Sequence, residues 1–218
     1  MRLIRVMCSG RVDLAHVFRA FSNGLDGVFI GSCHLNECNY TTHGNYHALT
    51  MVNLAKKLLE HIGLNPERLK IAFMSGSDSN LFVEGVNGFV QKVKELGPLG
   101  RGEGLDEKEL KLKLEAVTSL IPYIRLVERE RLRLPAMPEE EYRKFFDSDE
   151  LNRLFEETVA DKLAIAQIVS LLREGPHSTA EIAKTLGLTP SKVSKHLKTS
   201  SKQRLVRYDE SRKGFALA

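Results

Sequence analysis

GVFIGSCHLNECNY, residues 27–40, is the stretch whose reading decides the fold. Val28, Phe29 and Ile30 form a short apolar run bounded by glycines, the pattern of a strand buried on both faces. A cysteine closes the run, and a second follows five residues later in a chain that has only three. Two runs of the same kind flank this one: LIRVMC (3–8), ending at Ser9-Gly10, and LKIAFMSG (69–76). Between the three, LAHVFRAFSNG (14–24) and HALTMVNLAKKLLEHIG (47–63) repeat apolar residues at helical spacing and stop at glycines suited to the left-handed cap. SNLFVEGVNGFVQKVKELG (79–97) does the same after the third run. Strands alternating with helices through short connections predict an α/β unit, a small parallel sheet flanked by helices.

Composition narrows the class. No apolar run among the 218 residues approaches the roughly 20 that span a bilayer, and MRLIRVMCSG lacks the apolar stretch of a secretory signal, so no membrane partner and a cytoplasmic address are expected. Three cysteines, an odd count at low density, exclude a disulfide framework and leave buried thiols, metal ligands or redox chemistry. The net charge of +4 is small, but basic residues concentrate in 161–218 while 98–160 is net acidic.

The glycine-rich GPLGRGEG (97–104) ends the α/β unit. Beyond it, 106–134 reads as one long charged helix with a kink or break at Pro122, and the following segment as helix in at least two pieces. In the last sixty residues, DKLAIAQIVSLLREG is a helix ended by Gly175-Pro176. STAEIAKTLG opens on a capping box, Ser178 with Glu181, and TPSKVSKHLKTSSKQ has Thr189 as N-cap and Pro190 in the first helical position. LVRYDESRKGFALA reads as a hairpin. Three segments follow: an α/β domain over 1–99, a helical connector over 100–160, exposed on its charged faces, and a winged helix-turn-helix domain over 161–218. The last resembles the winged-helix domains of bacterial and archaeal transcription regulators.

In a parallel sheet, ligands gather outside the carboxyl ends of the strands. Cys8 ends the first predicted strand, Cys33 ends the second, and Cys38 lies in the loop after it, so one edge can bring all three thiols together. A soft-metal site and inert buried thiols both remain open. Zinc and iron–sulfur sites usually take four ligands. The chain offers three thiols with His34, His43 and His47 nearby, and a histidine as fourth ligand is chemically permitted, although donating a hydrogen bond to a ligand is the commoner role.

The motifs IRVMCSGRVD (4–13), GLDGVFIGSCHLNECNYTTHGNYHA (24–48), LLEHIGLNPERLKIAFMSGSD (58–78) and VNGFVQKVKELGPL (86–99), in this order, resemble the delta subunit of methyl-viologen-reducing hydrogenase. The resemblance implies a [2Fe–2S] cluster, zinc being the less favoured metal. It implies electron relay between a hydrogenase, or another electron-donating subunit, and the flavin-containing subunit of heterodisulfide reductase, with no bond-making chemistry in this chain. Cys8, Cys33 and Cys38 become cluster-ligand candidates, and Arg11 and His34 match the positions that support the site. The family usually opens with a further strand ending in Cys-x-x-Cys. Its absence here leads to two expectations: an extended protein in the cell, its selenocysteine codon read as a stop, or a cluster-deficient version that borrows a ligand from a partner.

Other features carry plainer readings. Ser75-Gly76-Ser77-Asp78 is expected to cap a helix, and RLVERERLRL (125–134) to be a solvated helix face with opposite charges one turn apart. Ser9, His16 and Asp13 lie close together, but no nucleophile elbow accompanies them. Ser191, Lys192, Ser194, Lys195 and Lys198 fall on the recognition-type helix and Arg212 and Lys213 in the wing, side chains of the kind that touch phosphates. DNA is thus a second candidate partner, and a redox- or metal-responsive transcription regulator the alternative function. Docking to protein is the favoured role for the winged helix, since fold alone does not fix function.

Overall fold

The computed structural model describes residues 1–40, 43–132, 134–135 and 137–218. Asp13 opens α1 (Leu14–Ser22): its carboxylate accepts the N–H groups of Ala15 and His16, while the His16 ring returns to the Asp13 N–H. Leu14, Val17, Phe18 and Phe21 form the buried stripe of α1, and the chain leaves it through Gly24 at φ 75°. β1 (Val28–Ser32) and β2 (Leu69–Phe73) pair in parallel, from Val28 opposite Leu69 to Ser32 opposite Phe73. α2 (Asn45–His61) connects them and α3 (Ser79–Leu96) follows. Gly27 lets α3 close on β1, because a Cβ there would stand 2.6 Å from Val93 and 2.9 Å from Phe89.

The strand expected at 3–8 does not form. Leu3, Ile4 and Met7 are almost fully exposed, and β1 and β2 bond only to each other, so the sheet has two strands. β-branched residues favour a strand only where a ladder and an apolar face receive them, and this segment has neither.

Arg68, fully buried just before β2, ties the unit together. Its Nε donates to Glu103 Oε1 at 2.5 Å and its Nη2 to Glu103 Oε2 at 3.0 Å; Nη1 donates to the carbonyls of Asp26 and Gly97, each at 3.0 Å. The glycine-rich loop wraps this guanidinium. Gly100 and Gly104 take positive φ, and a Cβ on Gly102 would lie 1.9 Å from the Leu96 carbonyl.

α4 (Glu107–Arg131) runs through Pro122 without the expected break. Proline costs a helix one N–H and a clash with the preceding turn, but the buried stripe Val117, Ile121, Ile124 on either side of the exposed Pro122 holds the helix together. Arg133, within the expected 106–134 helix, lies outside the described residues, as does Ala136. α5 (Glu139–Phe146) and α6 (Asp149–Phe155) follow, and α6 passes through one π-helical stretch (Glu156–Ala160) into α7 (Asp161–Leu172). Residues 100–160 keep most of their charged side chains exposed and bury their apolar side: Val117, Ile124, Tyr142 and Phe155 share one core with Phe18 and Leu58.

α7, α8 (Thr179–Leu186), α9 (Pro190–Lys202) and the antiparallel pair β3 (Val206–Asp209) and β4 (Gly214–Leu217) form the winged helix around a second core that includes Ile168, Ile182, Val193 and Val206. The capping box is present, Glu181 accepting the Ser178 N–H at 2.7 Å, and Thr189 caps α9. Gly187 provides the left-handed turn at φ 65°. The fold is therefore α/β, mostly helical, with a small parallel sheet and a winged helix at its end. Among the described residues, no helix is long and apolar enough to cross a membrane.

Glu103→Gln leaves the Arg68 guanidinium buried beside a neutral partner and is expected to cost about 3–5 kcal/mol, read as a lowered urea midpoint; an unchanged midpoint would remove the pair from its structural role.

Candidate metal centre

Cys8 precedes a 3₁₀ turn (Ser9–Arg11), and the buried Ser9 hydroxyl bonds that of Ser32, the last residue of β1, at 2.8 Å. This one bond sets Cys8 beside Cys33, because each cysteine adjoins one of the two serines. Backbone contact brings in the third thiol. A Cβ on Gly10 would stand 2.0 Å from the His43 carbonyl, and one on Gly44 would stand 2.2 Å from Cys38 Sγ, so both glycines are required by close packing. Asn45, buried at the start of α2, donates from Nδ2 to the carbonyls of His34 at 2.7 Å and Cys33 at 3.2 Å, and lies 3.6 Å from Cys33 Sγ. Thr41 and Thr42, within the same loop, lie outside the described residues.

All three thiols are half-buried and outside any disulfide, and they interact with one another. Burial pushes Cys33 up, and hydrogen bonding and charge at Cys38, with the charge at Cys8, push it further. Burial also pushes Cys38 up, but the N–H groups of Tyr40 and Asn45 and hydrogen bonds with Cys33 and Cys8 outweigh it, leaving Cys38 below its ordinary value. Between these two, Cys38 is the thiol that ionises first, and Cys33 and Cys8 hydrogen-bond to it. Three soft ligands at one rim, one of them disposed to the thiolate, fit the chemistry of an iron–sulfur or zinc site. Their arrangement does not itself form such a site: among the described residues, no group of three or more His, Cys, Asp or Glu side chains is set to close on one metal ion.

The other sequence-predicted residues go elsewhere. His34 is engaged by the β2–α3 loop, its Nε2 lying 2.8 Å from Asp78 Oδ2. Asp78 is the N-cap of α3, yet its carboxylate turns back to accept the Ser75 N–H at 2.8 Å rather than capping the helix. Those bonds, from Ser75 first and then His34, hold it at about 2. Arg11 is exposed and faces a cavity shared with α4. Ser191, Lys192, Ser194, Lys195 and Lys198 form an exposed face of α9, with Arg212 and Lys213 exposed in the wing turn; Lys195 is paired with Asp161 at 3.1 Å.

The solvated-face reading of 125–134 fails at Glu128, which is 8% exposed. It follows Val117, Ile121 and Ile124 on the buried stripe of α4, a spacing legible in the sequence beneath the charge run. Burial lifts its carboxyl to about 7, against the pull of Arg125, and His47 Nδ1 lies 3.7 Å away. Asn45 and the Ser9–Ser32 pair carry no comparable signal.

The family described as methyl-viologen-reducing hydrogenase, delta subunit, matches residues 1–97, and the family described as bacterial regulatory protein, arsR family, matches residues 166–208. The iron-sulfur subunit of the F420-non-reducing hydrogenase of Archaeoglobus profundus is 42% identical over 98 residues, 45% of this chain and 71% of that protein. The vhu iron-sulfur subunit of the F420-non-reducing hydrogenase of Methanococcus maripaludis is 42% identical over 98 residues, 45% of this chain and 72% of that protein. One subunit of the ferredoxin/F(420)H(2)-dependent CoB-CoM heterodisulfide reductase of Methanosarcina acetivorans is 38% identical over 100 residues, 46% of this chain but only 12% of that much longer protein.

Two outcomes follow from this geometry. In metal-free protein at neutral pH, iodoacetamide is expected to modify Cys38 before Cys33, followed by peptide mass spectrometry; the reverse order would contradict the N–H arrangement at Cys38. Glu128, ordinarily near 4.5, titrates near 7 in the folded chain, so the unfolded chain releases its proton first and stability falls as pH rises between those values. Relative to the native chain, Glu128→Gln is expected to gain on the order of 3 kcal/mol between pH 4.5 and pH 8 in urea denaturation, and a constant difference would show that the carboxyl is not held neutral.

Proposed function

The chain belongs to the methyl-viologen-reducing hydrogenase delta subunit family, and on that premise we propose that it is an electron-transfer iron–sulfur subunit, relaying electrons between a hydrogenase or other donor and a flavin-containing heterodisulfide-reductase-like partner. The observation that carries this reading is the meeting of the chain's three cysteines at one rim, built by the Ser9–Ser32 bond and the Gly44 contact. Cys8, Cys33 and Cys38 hold the metal group in this reading. When bound, a [2Fe–2S] cluster supplies a one-electron redox centre. The protein's share is to present ionised sulfur, to donate backbone N–H groups to it at Tyr40 and Asn45, and to limit water by half-burying the rim. The names of the relatives, hydrogenase iron-sulfur subunits and a heterodisulfide reductase subunit, support the two kinds of partner.

The exposed α9 lysines and the match to the arsR family favour a second reading, a redox- or metal-responsive regulator that binds duplex DNA through α9 and the wing. Salt separates the two. A regulator binds operator DNA with an affinity that falls steeply with salt, and changing Lys192, Lys195 and Lys198 to alanine reduces that slope.

Anaerobically purified protein, assayed for iron, sulfide and zinc and by electron paramagnetic resonance after reduction, is expected to hold two irons per chain with a reducible signal, of the kind a [2Fe–2S] cluster gives. Cys33→Ser or Cys38→Ser is expected to abolish the signal. Retention of the signal in both variants removes these residues as ligands, and zinc in place of iron replaces electron transfer with a structural site.

A further inference from the structure

A groove of about 760 Å3 runs along one side of α7, walled by α4 and bordered by Ser22 at the end of α1 and by Gln203 and Leu205 after α9. Its lining includes neither the thiols nor the exposed α9 lysines. α7 carries apolar residues on more sides than its neighbours cover. Leu163 joins the first core, and Ile168 and Leu171 the second, yet Ile165 and Val169 remain half-exposed in the groove, and Leu205 beside them is 42% exposed. The hydroxyls on the α4 wall are already satisfied, Thr118 donating to the Leu114 carbonyl at 2.7 Å and Ser119 to the Ala116 carbonyl at 2.8 Å. The groove therefore calls for apolar contact rather than for hydrogen bonds.

Charge marks the two ends of the same stripe. Lys162, Ile165, Ala166, Val169 and Arg173 follow the spacing of one helix face, with a cation first and last, and all five line the groove. Both cations are exposed, and the carboxylates next to them in sequence are engaged elsewhere, Asp161 with Lys195 and Glu174 with Lys108. Neither Lys162 nor Arg173 forms an ion pair among the described residues. Glu115, the one carboxylate in the described lining, stands 4.0 Å from Lys111 one turn back along α4. At a rise of about 1.5 Å per residue, the path from Lys162 to Arg173 covers about 16 Å.

We propose that this groove docks an amphipathic helix of a partner protein, its apolar stripe laid on Ile165, Val169 and Leu205 and an acidic residue near each end held by Lys162 and Arg173. A helix answers the shape, because it fills an open groove with one face and leaves the other in water. A flexible lipid-like acid would leave part of its chain uncovered. The α7 stripe of a second copy fits poorly, since in either direction it sets cation against cation at both ends. An acidic helix brings the opposite sign to both. The site depends neither on a metal at the thiols nor on the electron-transfer reading.

Fluorescence anisotropy of the full chain would use a labelled, stapled helical peptide with two glutamates eleven residues apart and leucines three, four and seven residues after the first. Saturable binding is expected, roughly tenfold or more tighter than that of the same peptide with lysines in place of the glutamates. Lys162→Glu combined with Arg173→Glu, both at exposed positions, is expected to reverse that preference while keeping the urea midpoint. Absence of binding by the glutamate peptide overturns the assignment, as does equal affinity for the two peptides or an unchanged preference in the double variant. Should the double variant not fold, the two peptides on the native chain decide. Light scattering supplies the remaining outcome: a native chain that is dimeric, with a monomeric double variant, puts a second copy in the groove and removes the partner helix.

Discussion

A single buried cation sets the frame. The Arg68 guanidinium reaches the carbonyl before β1, the carbonyls at the end of α3 and the carboxylate of Glu103 in the glycine-rich loop, so one side chain gathers three separated stretches of chain. Charges taken out of water this way are tolerable only when nearly every donor finds a partner. Glu103 completes the arrangement by accepting the N–H groups of Asn65 and Gly100. Because that loop leads directly into α4, the geometry around Arg68 also sets where α4 begins, and α4 supplies the wall behind the thiol rim.

The rim itself is assembled by contacts that leave little room rather than by side chains reaching toward a common point. Ser9 bonds Ser32, Gly10 lies against the His43 carbonyl, Gly44 lies against Cys38, and Asn45 bridges the carbonyls after β1. A larger residue at Gly10 or Gly44 would push the thiols apart without touching any of them chemically. The same closeness makes the cysteines electrostatically unequal. Cys38, receiving two backbone N–H groups, ionises more readily, while Cys33 pushes the other way because burial and its neighbours oppose its charge. The rim thus favours negative charge at Cys38 and opposes it at Cys33.

What the sequence made legible follows from how local each signal is. Helices such as α1 and α8 announce themselves through apolar spacing and capping residues a few positions apart. Cys33 follows the end of β1, where the strand-end rule put it, whereas Cys8 comes near it through the Ser9–Ser32 bond and not from a strand end. Residues 3–8 misled because strand formation depends on a partner edge that composition does not reveal. Asp78 misled because its position at the helix start was legible but the competing pull of His34, 44 residues away, was not. Arg68 gave no signal, since a lone arginine before a strand looks like any surface arginine until the carbonyls around it are in place. Glu128 was partly visible: its place on the apolar stripe of α4 conflicted with the charge run that contains it, and the stripe prevailed because α1 and α2 cover that side.

The helical segment between the two units does more than join them. Leu112, near the start of α4, belongs to the winged-helix core, whereas Ile121 and Ile124 belong to the first core and Glu128 faces the cavity beside the cysteine turn. At a rise of about 1.5 Å per residue, the sixteen residues from Leu112 to Glu128 span about 24 Å of rigid helix. The winged-helix core and the thiol side are therefore held at a fixed separation by one continuous element that is buried in both cores. Lys195 pairs with Asp161 at the start of α7, an exposed contact within the winged-helix unit.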